Sequence, residues 1–320
     1  MNEEQFGQAL ANLVRGKPST IDAYFHAVEA DVSVGSTNAK CHFHCINLDG
    51  NGRPRVDALV KHLIGHVIDY SIPRKKIMEA LLYQEETGSA YKHAMLLLEA
   101  MGLFSKLVKS GEGGELILFL LAERFLGLPQ LICKMNLKTS TQMHYHGADG
   151  LHVGVNEKTK RLCLYWGESK LYGDVTSAVY QCMKSLAPLL LGTGGFGGPE
   201  ERDLQLLGQY MNVDNPELEA ALRKFLDPDD PAFNCVEYCG ICLVGFDYGN
   251  YPSESNKATI SDVRNAVAGE VAKWQEAVGK RLTEEKIDTF SVHVFLVPFP
   301  SVEEFRKSLK SAMSPNNDNA

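Results

Sequence analysis

Glu168 and Lys170 close the stretch LCLYWGESK, whose alternation reads as a β-strand. Side chains on a strand alternate with period two, so Leu162, Leu164, Trp166, Glu168 and Lys170 share one face. An apolar face that ends in a carboxylate and an amine is costly to bury unless both groups have a purpose. Asp149 opens the preceding strand, DGLHVGV, and the polar turn NEKTK folds that strand back on the next. The hairpin is expected to bring Asp149 beside Glu168. Two carboxylates held together suit a hard divalent cation such as Mg²⁺, with Mn²⁺ as a substitute. A lysine two residues on could then hold or deprotonate an attacking water. E-x-K alone means little, because it recurs at Glu284–Lys286 on a predicted helix end with no aspartate hairpin upstream.

A third acid comes from the segment GEGGELILFLLAERFLG. It is apolar almost all round, hence a buried helix. Glu115 has Leu118, Phe119 and Ala122 at helical spacing, which sets it on an inward stripe near the helix start. Glu112 shares that face one turn earlier. Either acid can assist the metal site, or both can simply complement the helix dipole as first-turn glutamates. The site expected from the residues is therefore Asp149, Glu168 and Lys170, with Glu115 or Glu112 behind them and Asp149, Glu168 and Glu115 as metal ligands.

Other groupings carry less. Cys235, Cys239 and Cys242 have iron–sulfur spacing, but no fourth ligand is near and only a short chain follows, so they read as packed thiols. In CHFHC, Cys41 and Cys45 fall on one strand face and His42 and His44 on the other. Four-way convergence on one metal is awkward, so the group reads first as incidental composition, with a metal site as the alternative. Gly192-x-Gly194-x-x-Gly197 follows a helix rather than a strand, so it is a connector and not a dinucleotide loop. Lys134 and Lys138 either contact a nucleic-acid backbone or snorkel at the sheet edge. His144, His146 and His152 flank Asp149 and read mostly as solvated, with His146 a possible phosphate or water contact. Tyr180 and Gln181 either support the site or pack.

The elements that must position these residues follow from periodicity and punctuation. Before residue 111 the pattern is helical (56–70, 74–86, 90–103), apart from a strand at 41–48 ending in the turn signal Asp-Gly-Asn-Gly. After it come strands at 130–138, 149–155 and 161–170, then a helix at 174–191. Acidic helices near 200–210 and 216–226 precede a strand at 236–246, a long helix at 260–282, a strand at 289–297 and a helix at 302–312. The expectation is an α/β fold, a mixed sheet with helices on both faces. Residues 95–313 would form the core, 1–94 a mostly helical appendage with a short hairpin, and 314–320 a disordered tail.

Composition agrees with a globular protein: 320 residues, 44% hydrophobic and 22% charged. The longest apolar run, Leu116–Ala122, is far too short to span a membrane, and the acidic, polar N-terminus carries no secretion signal. A cytoplasmic protein is expected, with its eight cysteines as thiols. Net charge is −8, yet the window Arg124–Lys184 carries +4, leaving −12 elsewhere. An acidic body with one basic stretch suits a local phosphodiester site better than a protein that coats nucleic acid.

The order helix-Glu, strand, Asp-strand, E-x-K strand, helix, strand resembles the PD-(D/E)xK nuclease fold, with Ala148 where the motif's name has proline. More closely, SGEGGELILFLLAERFLGLPQLICKMNLKT, HGADGLHV and LYWGESKLYGDVTSA look like HamA, the nuclease-subunit family of Hachiman anti-phage systems, over roughly residues 56–190. The resemblance implies Mg²⁺ held by Asp149 and Glu168, water activation at Lys170, a helix-borne glutamate assisting, and DNA as substrate. It also implies a superfamily-2 helicase partner of the HamB type, in a bacterial cytoplasm. The competing class is a catalytically silent subunit of the same fold that loads or regulates a helicase on DNA.

Overall fold

The computed structural model describes residues 2–16, 18–105, 111–135, 147–195 and 197–313. Its frame is a sheet of six strands: β1 (Phe25–Ser33), β2 (Ala39–Ile46), β3 (Gly150–Val155), β4 (Leu162–Tyr172), β5 (Val236–Asp247) and β6 (Val292–Phe299), in spatial order β1-β2-β6-β5-β4-β3. The run β2-β6-β5-β4 is parallel, and an antiparallel strand closes each edge. In sequence, β5 and β6 are nearly unbroken apolar runs, the mark of strands buried on both faces.

Helices supply that cover. One face carries α7 (Val175–Leu191) and α10 (Ile260–Glu284): Trp274 of α10 stacks near Phe43 and Phe246, and Leu186 of α7 fills the space above Gly240. The other face carries α6 (Glu112–Arg124) and α11 (Val302–Met313). The fold expected from the sequence, a mixed sheet flanked by helices, is the fold found. Around it stand α1 (Glu3–Ala11), α2 (Val56–Ile64), α3 (Val67–Ser71), α4 (Arg74–Thr87), α5 (Tyr91–Ser105), α8 (Pro199–Tyr210) and α9 (Pro216–Phe225). No helix among the described residues is long and apolar enough to cross a membrane.

The N-terminal third departs from expectation. The strand in CHFHC is present as β2, and its main partner is β1, upstream; across Asp-Gly-Asn-Gly the chain folds back only briefly, with Leu48 bridged antiparallel to Pro54. That tetrapeptide is a tight turn, with the Asp49 carboxylate accepting from the amides of Asn51 and Arg53. β1 escaped detection because its register shifts twice and its alternation is broken by charge. Through the β2–β6 pairing, residues 25–46 extend the sheet built by residues beyond 95. The helix expected at 56–70 divides at Gly65 into α2 and α3.

The strand expected at 130–138 is not formed among the described residues. Gln130 makes a single bridge to His152, while Leu131 donates to the Leu151 carbonyl and Val153 donates to that of Pro129. Proline has no N–H to continue a ladder, so the segment lies along β3 without becoming a regular strand. Residues 136–138, with Lys138, and also His144, His146 and the 314–320 tail lie outside the described residues.

Candidate metal-binding active site

Antiparallel pairing of β3 and β4 sets Gly150 opposite Gly167, which leaves Asp149, the residue before β3, at the strand end beside Glu168. Asp149 is anchored there through its amide, which donates to the Gly167 carbonyl at 2.8 Å. Its Oδ2 accepts from both the amide and the hydroxyl of Ser169, each at 2.8 Å. Ser169, the central residue of E-x-K, is thus a positioning group that sequence reasoning missed. Glu168 is 4% exposed, and its Oε2 lies 2.9 Å from Lys170 Nζ. Glu168 points to the face covered by α7, where the Cys182 thiol donates to its carbonyl.

The second carboxylate layer comes from α6. Gly113 and Gly114 let its first turn approach closely: a Cβ on Gly113 would stand 2.7 Å from Leu309, and one on Gly114 would stand 3.1 Å from the Ser169 hydroxyl. Glu112 and Glu115 are thereby buried at 5% exposure each. Glu115 reaches the Asp149 region through Tyr70 of α3, whose hydroxyl donates to Glu115 Oε2 at 2.7 Å and lies 3.4 Å from the Asp149 carbonyl. Tyr70 carried no sequence signal, because nothing in VIDYS marks a site. Asp149, Glu168 and Glu115 do not converge as a ready three-carboxylate cage; the described residues whose ligand atoms do so within 4.8 Å are Asp31, His42 and His293.

Lys134 stands elsewhere than either expectation placed it. It is 2% exposed, neither reaching outward nor snorkelling. Its ammonium donates to Asp203 Oδ1 and to the Ala148 carbonyl, both at 2.8 Å, while the Ala148 amide donates to Asp203 Oδ2 at 3.2 Å. The buried pair therefore grips both polar groups of the residue before Asp149. His152 is buried too, its Nδ1 2.9 Å from the Leu128 carbonyl, so it is a packing residue. Tyr180 lies under Arg281, 3.9 Å from its ring centre, on the outside of α7. Cys239 and Cys242 take opposite faces of β5 and Cys235 is exposed, so the three thiols do not meet. The glycines at 192–197 join α7 to α8, with Gly192 capping α7 in the left-handed conformation.

Charge at the site is unbalanced. Burial first, and Asp149 second, push the Glu168 carboxyl up to about 8 against the pull of Lys170. Burial alone would lower Lys170, but Glu168 and Asp149 together hold it above its ordinary range. The donor set is oxygen-rich, and among the described residues the nearby lysines do not bring Glu168 back to its ordinary range, which fits a hard divalent cation. Both Ser169 bonds fall on Oδ2, so Asp149 Oδ1 is the oxygen left to offer one.

The raised carboxyl has a consequence for stability. Folding takes up a proton on Glu168 wherever pH lies between its ordinary 4.5 and about 8. The native state then binds more protons than the unfolded chain, so stability is full below that window and declines as pH rises through it. In chelated buffer, the melting temperature is expected to fall between about pH 5 and about pH 8. Glu168→Gln keeps the shape and removes the titration, so its curve should be flatter. Parallel curves for the two proteins would show that Glu168 is not held neutral.

A mixed α/β sheet with paired carboxylates and a lysine at one strand end defines a protein built around a buried acidic site. The chain belongs to the HamA family, whose sequence model matches residues 22–313, and so to the proteins of Hachiman-type defence systems. A search of curated proteins returned no match.

Proposed function

We propose that the chain is the metal-dependent deoxyribonuclease effector of its defence system, with a PD-(D/E)xK-type core restrained and guided by a HamB-like superfamily-2 helicase. The observation that supports this reading most is the meeting of Asp149, Glu168 and Lys170 at one strand end, with Glu168 short of compensating positive charge. Asp149 and Glu168 would hold Mg²⁺, or Mn²⁺ in its place. The cation, when bound, supplies Lewis-acid stabilisation to the charge that builds on the phosphate. Lys170 keeps its proton beside two acids, so its part is to orient the attacking water and stabilise the developing phosphate charge, rather than to act as a base. Glu115, joined to the Asp149 backbone through Tyr70, sets the position of that strand end and assists at one remove. Glu112, on the same first turn, adds to the negative field.

The charge pattern bears on the partner. A body at −12 outside residues 124–184 opposes capture of a polyanion at physiological salt. A duplex-binding helicase supplies the missing positive surface and delivers a strand. The test is fluorescence anisotropy with labelled DNA, together with plasmid cleavage, for the isolated chain and for the chain mixed with its helicase. Weak binding alone and tight, cleavage-competent engagement with the partner are expected. A nanomolar dissociation constant for the isolated chain at about 0.15 M salt would contradict the partner's role.

A further inference from the structure

The histidine pair that the nuclease reading leaves unused has a partner from a distant part of the chain. His42, in the middle of β2, is fully buried, and its Nε2 lies 2.9 Å from Nδ1 of His293 on β6. Asp31 of β1 completes the group: one ligand atom from each of the three residues lies within 4.8 Å of the others. We propose that Asp31, His42 and His293 form a binding site for a divalent transition metal, zinc fitting best, separate from the acidic site at the end of β3 and β4.

The donor set carries the choice of metal. Two imidazoles and one carboxylate, with solvent in the fourth position, are the usual company of four-coordinate zinc, whereas Mg²⁺ and Ca²⁺ prefer oxygen. The rings are pre-set. His42 stacks on Phe295 with centroids 4.7 Å apart and meets the edge of Phe125 at 5.2 Å, so it has little freedom to turn away. Asp31 sits where the β1 register shifts, and bulges re-aim side chains. Its carboxylate is exposed and pairs with the exposed Lys40 at 3.2 Å, an interaction of small worth that a divalent ion displaces. Ligands come from three neighbouring strands, so the ion would staple the β1–β2 hairpin to the central sheet.

Capture has a defined proton balance. The Asp31 amide points at His42 Nδ1 at 3.3 Å, so neutral His42 carries its proton on Nε2 and donates it to His293. An ion entering between the rings takes Nε2, and the His42 proton moves to Nδ1. The peptide before Asp31 must then turn its carbonyl toward that proton, which also moves Asp31 out of its left-handed φ of 55°.

The two sites are separate in space. Glu168 shares a sheet face with its register partner Cys242, while His42 shares one with Phe295, whose partner is Leu243. Consecutive residues of β5 point oppositely, so the Glu168 carboxylate and the histidine pair lie on opposite faces of the sheet.

The test uses the full chain, stripped with EDTA and desalted, then titrated with ZnCl₂ by calorimetry and with CoCl₂ by visible spectroscopy. One zinc equivalent is expected, with a melting-temperature rise of several degrees at saturation. Asp31→Asn and His293→Gln should each weaken binding by about 10²-fold or more, beyond what loss of a ligand's hydrogen-bond partner does. Their melting temperatures in EDTA should match the parent, because Asp31 is exposed and His293 half-buried. Lys40→Met, which removes the competing cation, should tighten binding. Cobalt should show four-coordinate bands with no thiolate charge-transfer band. Absence of binding, equal binding in both ligand variants, or a thiolate band, which would place the ion on cysteines, overturns the site.

Discussion

In excess EDTA the chain, engaged with its helicase, should leave plasmid DNA intact, and added Mg²⁺ or Mn²⁺ should restore cutting. The expectation rests on Asp149 and Glu168, which present oxygen donors at one strand end, with Lys170 the cation paired to Glu168. Without a divalent ion, burial and Asp149 hold Glu168 largely neutral near pH 7, so the site offers a phosphodiester no ion to stabilise its developing charge. Ca²⁺ should occupy the site yet support little turnover, because its looser, larger coordination misplaces the water relative to the phosphate. Asp149→Asn should behave as the parent does in chelator, since Asn cannot supply the charge and still accepts from Ser169. Loss of activity of about 10³-fold or more is the expected scale, that of removing a main electrostatic stabiliser. Full cleavage in excess chelator would falsify the metal-dependent mechanism. Zinc at the histidine pair does not confuse the outcome, because Asp31→Asn leaves Asp149 and Glu168 untouched.

How much of this was readable beforehand depends on how far each contact reaches along the chain. Asp149 and Glu168 are joined by a short hairpin, so alternation and one polar turn sufficed to pair them. The helices from 174 onward were readable for a similar reason: apolar periodicity with clear punctuation, as in the Asp174 cap of α7 and the Thr259 capping box of α10. The central parallel strands were readable as apolar runs, though their order in the sheet was not, because parallel register is set by distant crossovers.

Long-range polar partners were not readable. Lys134 finds Asp203 across 69 residues and Tyr70 finds Glu115 across 45. Nothing local marks such pairs, since a buried lysine in sequence looks like an exposed one. His42 and His293 are 251 residues apart, and only the β2–β6 pairing brings them together. Alternation makes four-way convergence of CHFHC on one metal awkward, because the two cysteines and the two histidines take opposite faces. It has no means of supplying ligands from two other strands. β1 was lost for a different reason: its shifts of register erase the alternation on which strand detection depends.

Replacing Lys170 with Ala should lower DNA cleavage by about 10²–10⁴-fold while the protein folds as before. The size follows from the role: one well-placed group that orients water and stabilises charge is removed, and the two carboxylates remain. Folding should change little, because the ammonium is partly exposed and leaves behind a Glu168 carboxyl that burial already drives toward its neutral form. A corollary separates this role from a purely structural one. Without Lys170 the Glu168 carboxyl loses an opposing charge, so its titration should move higher still and extend the pH-dependent loss of stability upward. Lys286→Ala is the matched control: it breaks the other E-x-K, where Glu284 ends α10 and Lys286 is exposed beyond it, and should change neither cleavage nor stability. The measurements are plasmid cleavage with the helicase present, phage protection at equal expression, and melting curves for both variants. If Lys170→Ala cuts and protects like the parent, the acids are vestigial, and the chain acts as a silent subunit that loads or regulates its helicase.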